Sequence, residues 1–212
     1  MSTWWRRLWT GSPSRRGFTL IEMLIVIAVI AVLAALLLPS LHRARLAAKV
    51  AKVKVELRQV GIAVQQFHND RERYPRARTY CVGVPDKIDD YYELPPELEK
   101  RYLQTHMVDV FNPPHTYKYI KPGTGYANNV PTLITVWVPR AWPDDDGVDE
   151  PWSREENAPV LWAVWSVGPG GAKTFWQSDV DHLPVPPRLW YPTDPKGVIV
   201  RLYTGRDWVT SP

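Results

Sequence analysis

The chain has 212 residues, 45% of them hydrophobic, enough for one modest globular domain and a further segment. Its sequence pI of about 9.2 suggests nucleic acid, but the excess of positive charge lies in residues 1–17, where Arg6, Arg7, Arg15 and Arg16 stand without an acid. Beyond them, residues 18–69 hold six Lys/Arg against Glu22 and Glu56 (+4) and residues 70–212 hold 16 against 20 (−4), a polarity suited to two regions meeting within or between subunits and not to a phosphate-binding face.

In chain order, the first element is the apolar run Phe18–Leu38, 21 residues interrupted only by Thr19 and Glu22. As a helix it is roughly 31 Å long, the thickness of a bilayer's hydrocarbon core. It is too long for a secretory signal, and no Ala-x-Ala cleavage site follows it. Four arginines precede it, which places residues 1–17 in the cytoplasm and everything after Pro39 across the membrane.

Glu22 is the anomaly. A carboxylate in such a span costs about 2–3 kcal/mol on insertion scales and needs a partner or a function. The reading here is that the partner must be a cation, and the span has none. Cutting between Gly17 and Phe18 creates one, the α-ammonium of Phe18. It can approach Glu22 within one helix or pair with Glu22 of a neighbouring helix, and in low dielectric either charge alone is penalised. Glu22 is then a register device for identical helices packed side by side. Pro39 lacks an amide donor and its ring meets the carbonyl of Ala35, so a kink or a local opening is expected there.

The stretch RRGFTLIEMLIVIAVIAVLAALLLP, residues 15–39, resembles the amino-terminal signature of type IV pilins and type II secretion pseudopilins. The resemblance implies a prepilin peptidase that cuts after Gly17 and methylates Phe18, with Glu22 as the assembly residue. It also implies that the helix loosens at Pro39 when subunits leave the bilayer for a filament. Residues 1–17 are expected to be a cleaved cytoplasmic leader, 18–39 a transmembrane and assembly helix, 40–75 its amphipathic extension, and 76–212 a periplasmic globular domain.

After Pro39, Leu46, Val50, Val53, Leu57, Val60, Val64 and Phe67 recur at alternating intervals of four and three. This stripe suits packing on a sheet, with a coiled-coil dimer as the alternative. Arg43, Arg45, Lys49, Lys52, Lys54 and Arg58 lie between, facing solvent or the acidic part of another subunit. Asn69, Asp70 and the Arg-Tyr-Pro at 73–75 end the helix.

The globular part, with most of the chain's 21 Pro and 11 Trp, reads as turns and short strands. A short helix is expected in 95–103 and strands at Thr132–Val138, Pro159–Val167, Thr174–Gln177 and Gly197–Tyr203. The class is α+β, a long N-terminal helix packed on a small antiparallel sheet, pilin-like. FHNDRERYP (67–75), DVFNPPHTYKYIKPG (109–123), LWAVWSVGPGG (161–171) and YPTDPKGVIVRLYTGRDW (191–208) are similar to segments of major pseudopilins and their longer homologues. That branch implies a homo-oligomeric filament, with an inner-membrane secretion platform and minor pseudopilins as partners. It commonly binds calcium through an aspartate in the loop that here reads Gly168-Pro169-Gly170-Gly171, without the acid. Asp179 and Asp181 remain as candidate oxygen ligands, and the alternative is no metal. The acidic run Asp144–Glu150 is read as a solvated turn, and 139–158 around it as an insertion.

No P-loop and no Gly-x-Ser-x-Gly elbow occur, the five histidines lack zinc spacing, and Cys81 is the only cysteine, so no internal disulfide can form. No enzyme is expected. The function indicated is a structural subunit of a secretion pseudopilus in the bacterial inner membrane and periplasm. The alternatives are a type IV or minor pilin acting in adhesion or DNA uptake, its tryptophans lining a ligand surface, and a membrane-anchored enzyme.

Overall fold

A computed structural model describes residues 18–79, 92–99, 101–171 and 184–212. The chain divides into two units, Met1–Ala44 and Arg45–Pro212. Helix α1 (Leu20–Arg71) is 52 residues long and contributes to both. Its interior holds strong helix formers (Leu, Ala, Lys, Gln and Arg) and a single glycine, Gly61. It closes where expected. Glu72 takes a left-handed φ of 55° and donates its N–H to His68 O at 2.8 Å, satisfying a carbonyl that the helix end would otherwise orphan.

At Pro39 the helix is not locally opened. Helical structure runs unbroken through it, and in the next residue the Ser40 hydroxyl donates to Leu37 O at 2.9 Å.

In the second unit, one face of α1 is buried along Val50, Val53, Leu57, Val60, Gly61, Ala63, Val64 and Phe67. Five of these have no more than 1% exposure, so the periodic stripe is the core seam of this unit. It joins the buried residues of a four-stranded antiparallel sheet of order β2-β7-β8-β9, made of β2 (Lys118–Ile120), β7 (Trp162–Ser166), β8 (Ile199–Tyr203) and β9 (Trp208–Thr210). Central β7 is buried at every position, which is why Trp-Ala-Val-Trp reads as a nearly continuous apolar run. Trp162 and Trp165 are core residues, not a ligand surface.

Two smaller sheets lie in the unit among the described residues. β1 (Arg78–Thr79), β3 (Gly123–Ala127) and β4 (Val130–Ile134) form one, and β5 (Val136–Pro139) with β6 (Asp149–Trp152) form the other. Among the described residues the expected single antiparallel sheet is three sheets, and β1 pairs with β3 in parallel. The expected strand Thr132–Val138 is divided at Thr135 between two of them. The expected 95–103 helix is α2 (Pro96–Glu99). Thr174–Gln177 lies outside the described residues.

Candidate functional site

Two places gather polar groups that the fold positions. The first is the start of α1. Phe18 stands before the helix with 74% exposure. Thr19 caps it: its N–H and Oγ1 both donate to Glu22 Oε2 at 2.8 Å, and Glu22 N–H donates back to Thr19 Oγ1 at 3.3 Å. This is a capping box, Thr-x-x-Glu, in which cap and carboxylate satisfy each other's backbone donors. The reading that only a cation can answer Glu22 is therefore corrected, since Thr19 answers it within the chain. The Thr-x-x-Glu spacing of this box is visible in the sequence.

Every large apolar side chain from Phe18 to Leu41 is exposed within this chain, so the helix is apolar all round and needs lipid or other helices to cover it. By length and composition it can cross a membrane. Gly17 lies outside the described residues.

The second place is beneath the loop that follows β7. Asp109 is fully buried. Its Oδ1 accepts from Phe111 N–H at 2.9 Å and Ser166 Oγ at 2.8 Å, and its Oδ2 accepts from Val167 N–H at 3.0 Å. Ser166 Oγ also accepts from Gly168 N–H at 3.1 Å. Burial pushes the Asp109 carboxyl above its ordinary range, and these donors together with the charge of Lys118 only partly offset it. One side chain thus ties the 109–112 turn to the exit of β7, across 57 residues of chain. Close by, buried Tyr117 donates its hydroxyl to Glu56 of α1, and burial, reinforced by Glu56, pushes that phenol far above its usual value.

Asp179 and Asp181 lie outside the described residues, and among the described residues no group of three or more His, Cys, Asp or Glu is placed to hold a metal ion. The acidic run is a correction. Arg188 donates its backbone N–H to Asp145 Oδ2 at 2.9 Å and its guanidinium to Asp145 Oδ1 at 2.5 Å and to both oxygens of Asp149. Asp149 has 1% side-chain exposure and Asp146 accepts from Arg140 and from Val148 N–H, so the run is a clamped hairpin and not a freely solvated turn.

Fold and helix together define a pilin-like α+β protein, a long N-terminal helix that is apolar at its start and packs its amphipathic second half on small, mainly antiparallel sheets. Residues 12–38 match the prokaryotic N-terminal methylation motif, so the chain carries the signature of prepilin-like proteins. It is similar to the type IV major pilin protein PilA of Myxococcus xanthus, 36% identical over 80 residues, which cover 38% of this chain and 36% of that one. It is also similar to the type II secretion system core protein G of Pseudomonas aeruginosa, 29% identical over 108 residues, 51% of this chain and 75% of the relative. A third relative, the type IV wide pilus major component PilA4 of Thermus thermophilus, is 44% identical over 69 residues, 32% of this chain and 53% of its own length. The chain thus spans about a third of the Myxococcus relative's length and about half of the Thermus one's. No solved structure matches at a significant level.

Proposed function

We propose that the chain is a structural subunit of a type II secretion pseudopilus, cleaved after Gly17, methylated on Phe18, and drawn from the inner membrane into a periplasmic filament. The observation that carries this reading is the uncovered apolar face of residues 18–41 with one carboxylate at its start, inside a methylation motif. Side-by-side packing of such helices covers the apolar faces through van der Waals contact. Cleavage supplies each copy with an α-ammonium, and Glu22 exchanges its hydrogen bonds with Thr19 for the ammonium of a neighbouring copy. Prepilin peptidase, the inner-membrane secretion platform and minor pseudopilins are the partners this role requires. The chain itself performs no bond-making chemistry.

Mass spectrometry of the protein from its native cells tests the reading. A mature chain beginning at methylated Phe18 is expected, and an intact Met1 or a cut beyond Leu38 contradicts it. Glu22→Ala is expected to leave cleavage intact and to impair filaments; undiminished filaments would refute the role of Glu22.

A second reading, a type IV or minor pilin acting in adhesion or DNA uptake, is favoured by the names of two of the three relatives. Retention on DNA or glycan supports, set beside protein secretion in a deletion strain, separates the two.

A further inference from the structure

Several described cations of the second unit have an acid. Arg73 is paired with Glu97, Arg101 with Asp70, Lys118 with Glu93, Lys121 with Glu155, Arg140 with Asp146, and Arg188 with Asp145 and Asp149. Arg58 and Arg201 are among the described cations that form no salt bridge with a carboxylate, and the fold brings these two together.

Gly61 is the reason they meet. It lies one turn along α1 from Arg58, on the same side of the helix. A Cβ there would sit 2.9 Å from Trp208 Cζ3, 3.0 Å from Arg201 Nε and 3.3 Å from Trp162 Cη2. Without that side chain the β8–β9 hairpin lies directly on the helix. The Arg201 guanidinium stacks over the Trp208 ring at 4.2 Å and donates to Thr210 Oγ1 at 3.2 Å, yet its Nε is buried without a hydrogen-bond partner. Burial holds the Arg201 pKa below its usual value, and the charge of Arg58 adds to the effect. Arg58 itself is exposed, and an anion placed between the two like charges would relieve their repulsion. Trp208, 38% exposed, forms an aromatic wall beside the pair.

We propose that Arg58, Arg201 and Trp208 form a socket for an acidic side chain of a second copy of this chain. The inference rests on the filament reading above. Charge complementarity selects the occupant: Arg58 belongs to residues 18–69, which carry +4, while residues 70–212, although they contribute Arg201 and Trp208, carry −4 overall, and Asp144 and Glu156 there stand exposed. Socket and acid belong to different elements, so the contact is heterologous, the kind that builds an open-ended polymer instead of a closed dimer. Buried at the junction, the ion pair gains from low dielectric and sets register, with the aromatic wall excluding water.

The test uses the full chain in its native cells. Arg58→Glu is expected to lower filament yield at least tenfold, while the mature Phe18 terminus and the melting temperature of the chain stay unchanged. In a second arm, Arg58→Lys keeps the charge and supplies an amine for zero-length carbodiimide coupling. Assembled filaments should yield an isopeptide between position 58 of one copy and an Asp or Glu of another, lost on dispersal in detergent. Undiminished filaments in Arg58→Glu, coupling only within one chain, or coupling to a different protein would overturn the socket. Should the unsubstituted chain form no filaments at all, the fault lies with the filament reading.

Discussion

At Asp109 a single carboxylate decides the shape of a loop. Burial raises its folded-state pKa, so the stability gained by its protonation is complete below its ordinary value of 3.8 and is lost as pH rises through the higher folded value. In Asp109→Asn that pH dependence should vanish. The amide also turns a donor toward Val167 N–H or Ser166 Oγ, costing about 1–3 kcal/mol, measurable as a lower melting temperature across a pH series. Gly168 beside it has a φ of +73°, and a Cβ there would lie 1.9 Å from Gly197 O. Gly168→Ala should therefore destabilise by ~3 kcal/mol or more, strain and backbone clash together. The sequence shows Asp109 inside a recognisable turn, but its bonds to Ser166 and Val167 reach 57 and 58 positions away, beyond the range of any local pattern.

Element by element, α1 and β6 stand at opposite ends of legibility. The seam of α1 repeats with the helical period, so its buried side follows from spacing alone. Leu57→Ala, at 0% exposure, should cost about 2–5 kcal/mol. Val55→Ser, at 58% exposure on the other face, should stay within about 0.5 kcal/mol. Chemical denaturation of the two variants checks the contrast. β6 reads Asp-Glu-Pro-Trp, which no strand propensity would select. It forms where Arg188 neutralises Asp149 and Asp145 from 39 and 43 residues away. Burial raises the Asp145 carboxyl, but the backbone N–H groups of Arg188 and Gly147 and the Arg188 guanidinium outweigh it and hold the pKa below its ordinary value. That contribution is present above the unfolded pKa and lost as pH falls through the folded one, so the clamp holds at neutral pH. Arg188→Gln should speed amide exchange in β5 and β6 while exchange in β7 and β8 stays slow.

Taken whole, the molecule keeps its buried core from Val50 onward, inside the Arg45–Pro212 unit. A chain beginning at Arg45 should melt cooperatively without detergent, whereas the full chain, with its uncovered apolar helix, should require detergent or lipid. Circular dichroism on the truncated chain checks the first expectation, and a featureless melt would show that the core depends on the preceding helix.

The N-terminal helix, its apolar circumference, the place of Glu22 and the amphipathic seam were determined by sequence alone, because each is set by residues within a few positions of one another. Tertiary structure alone decided the division into three sheets, the parallel pairing of β1 with β3, the bonds of Asp109 and the clamp of Arg188. It also decided the close meeting of Gly61, Arg201 and Trp208. Each of these joins groups tens of residues apart, and only the folded chain brings such groups within hydrogen-bonding or van der Waals distance.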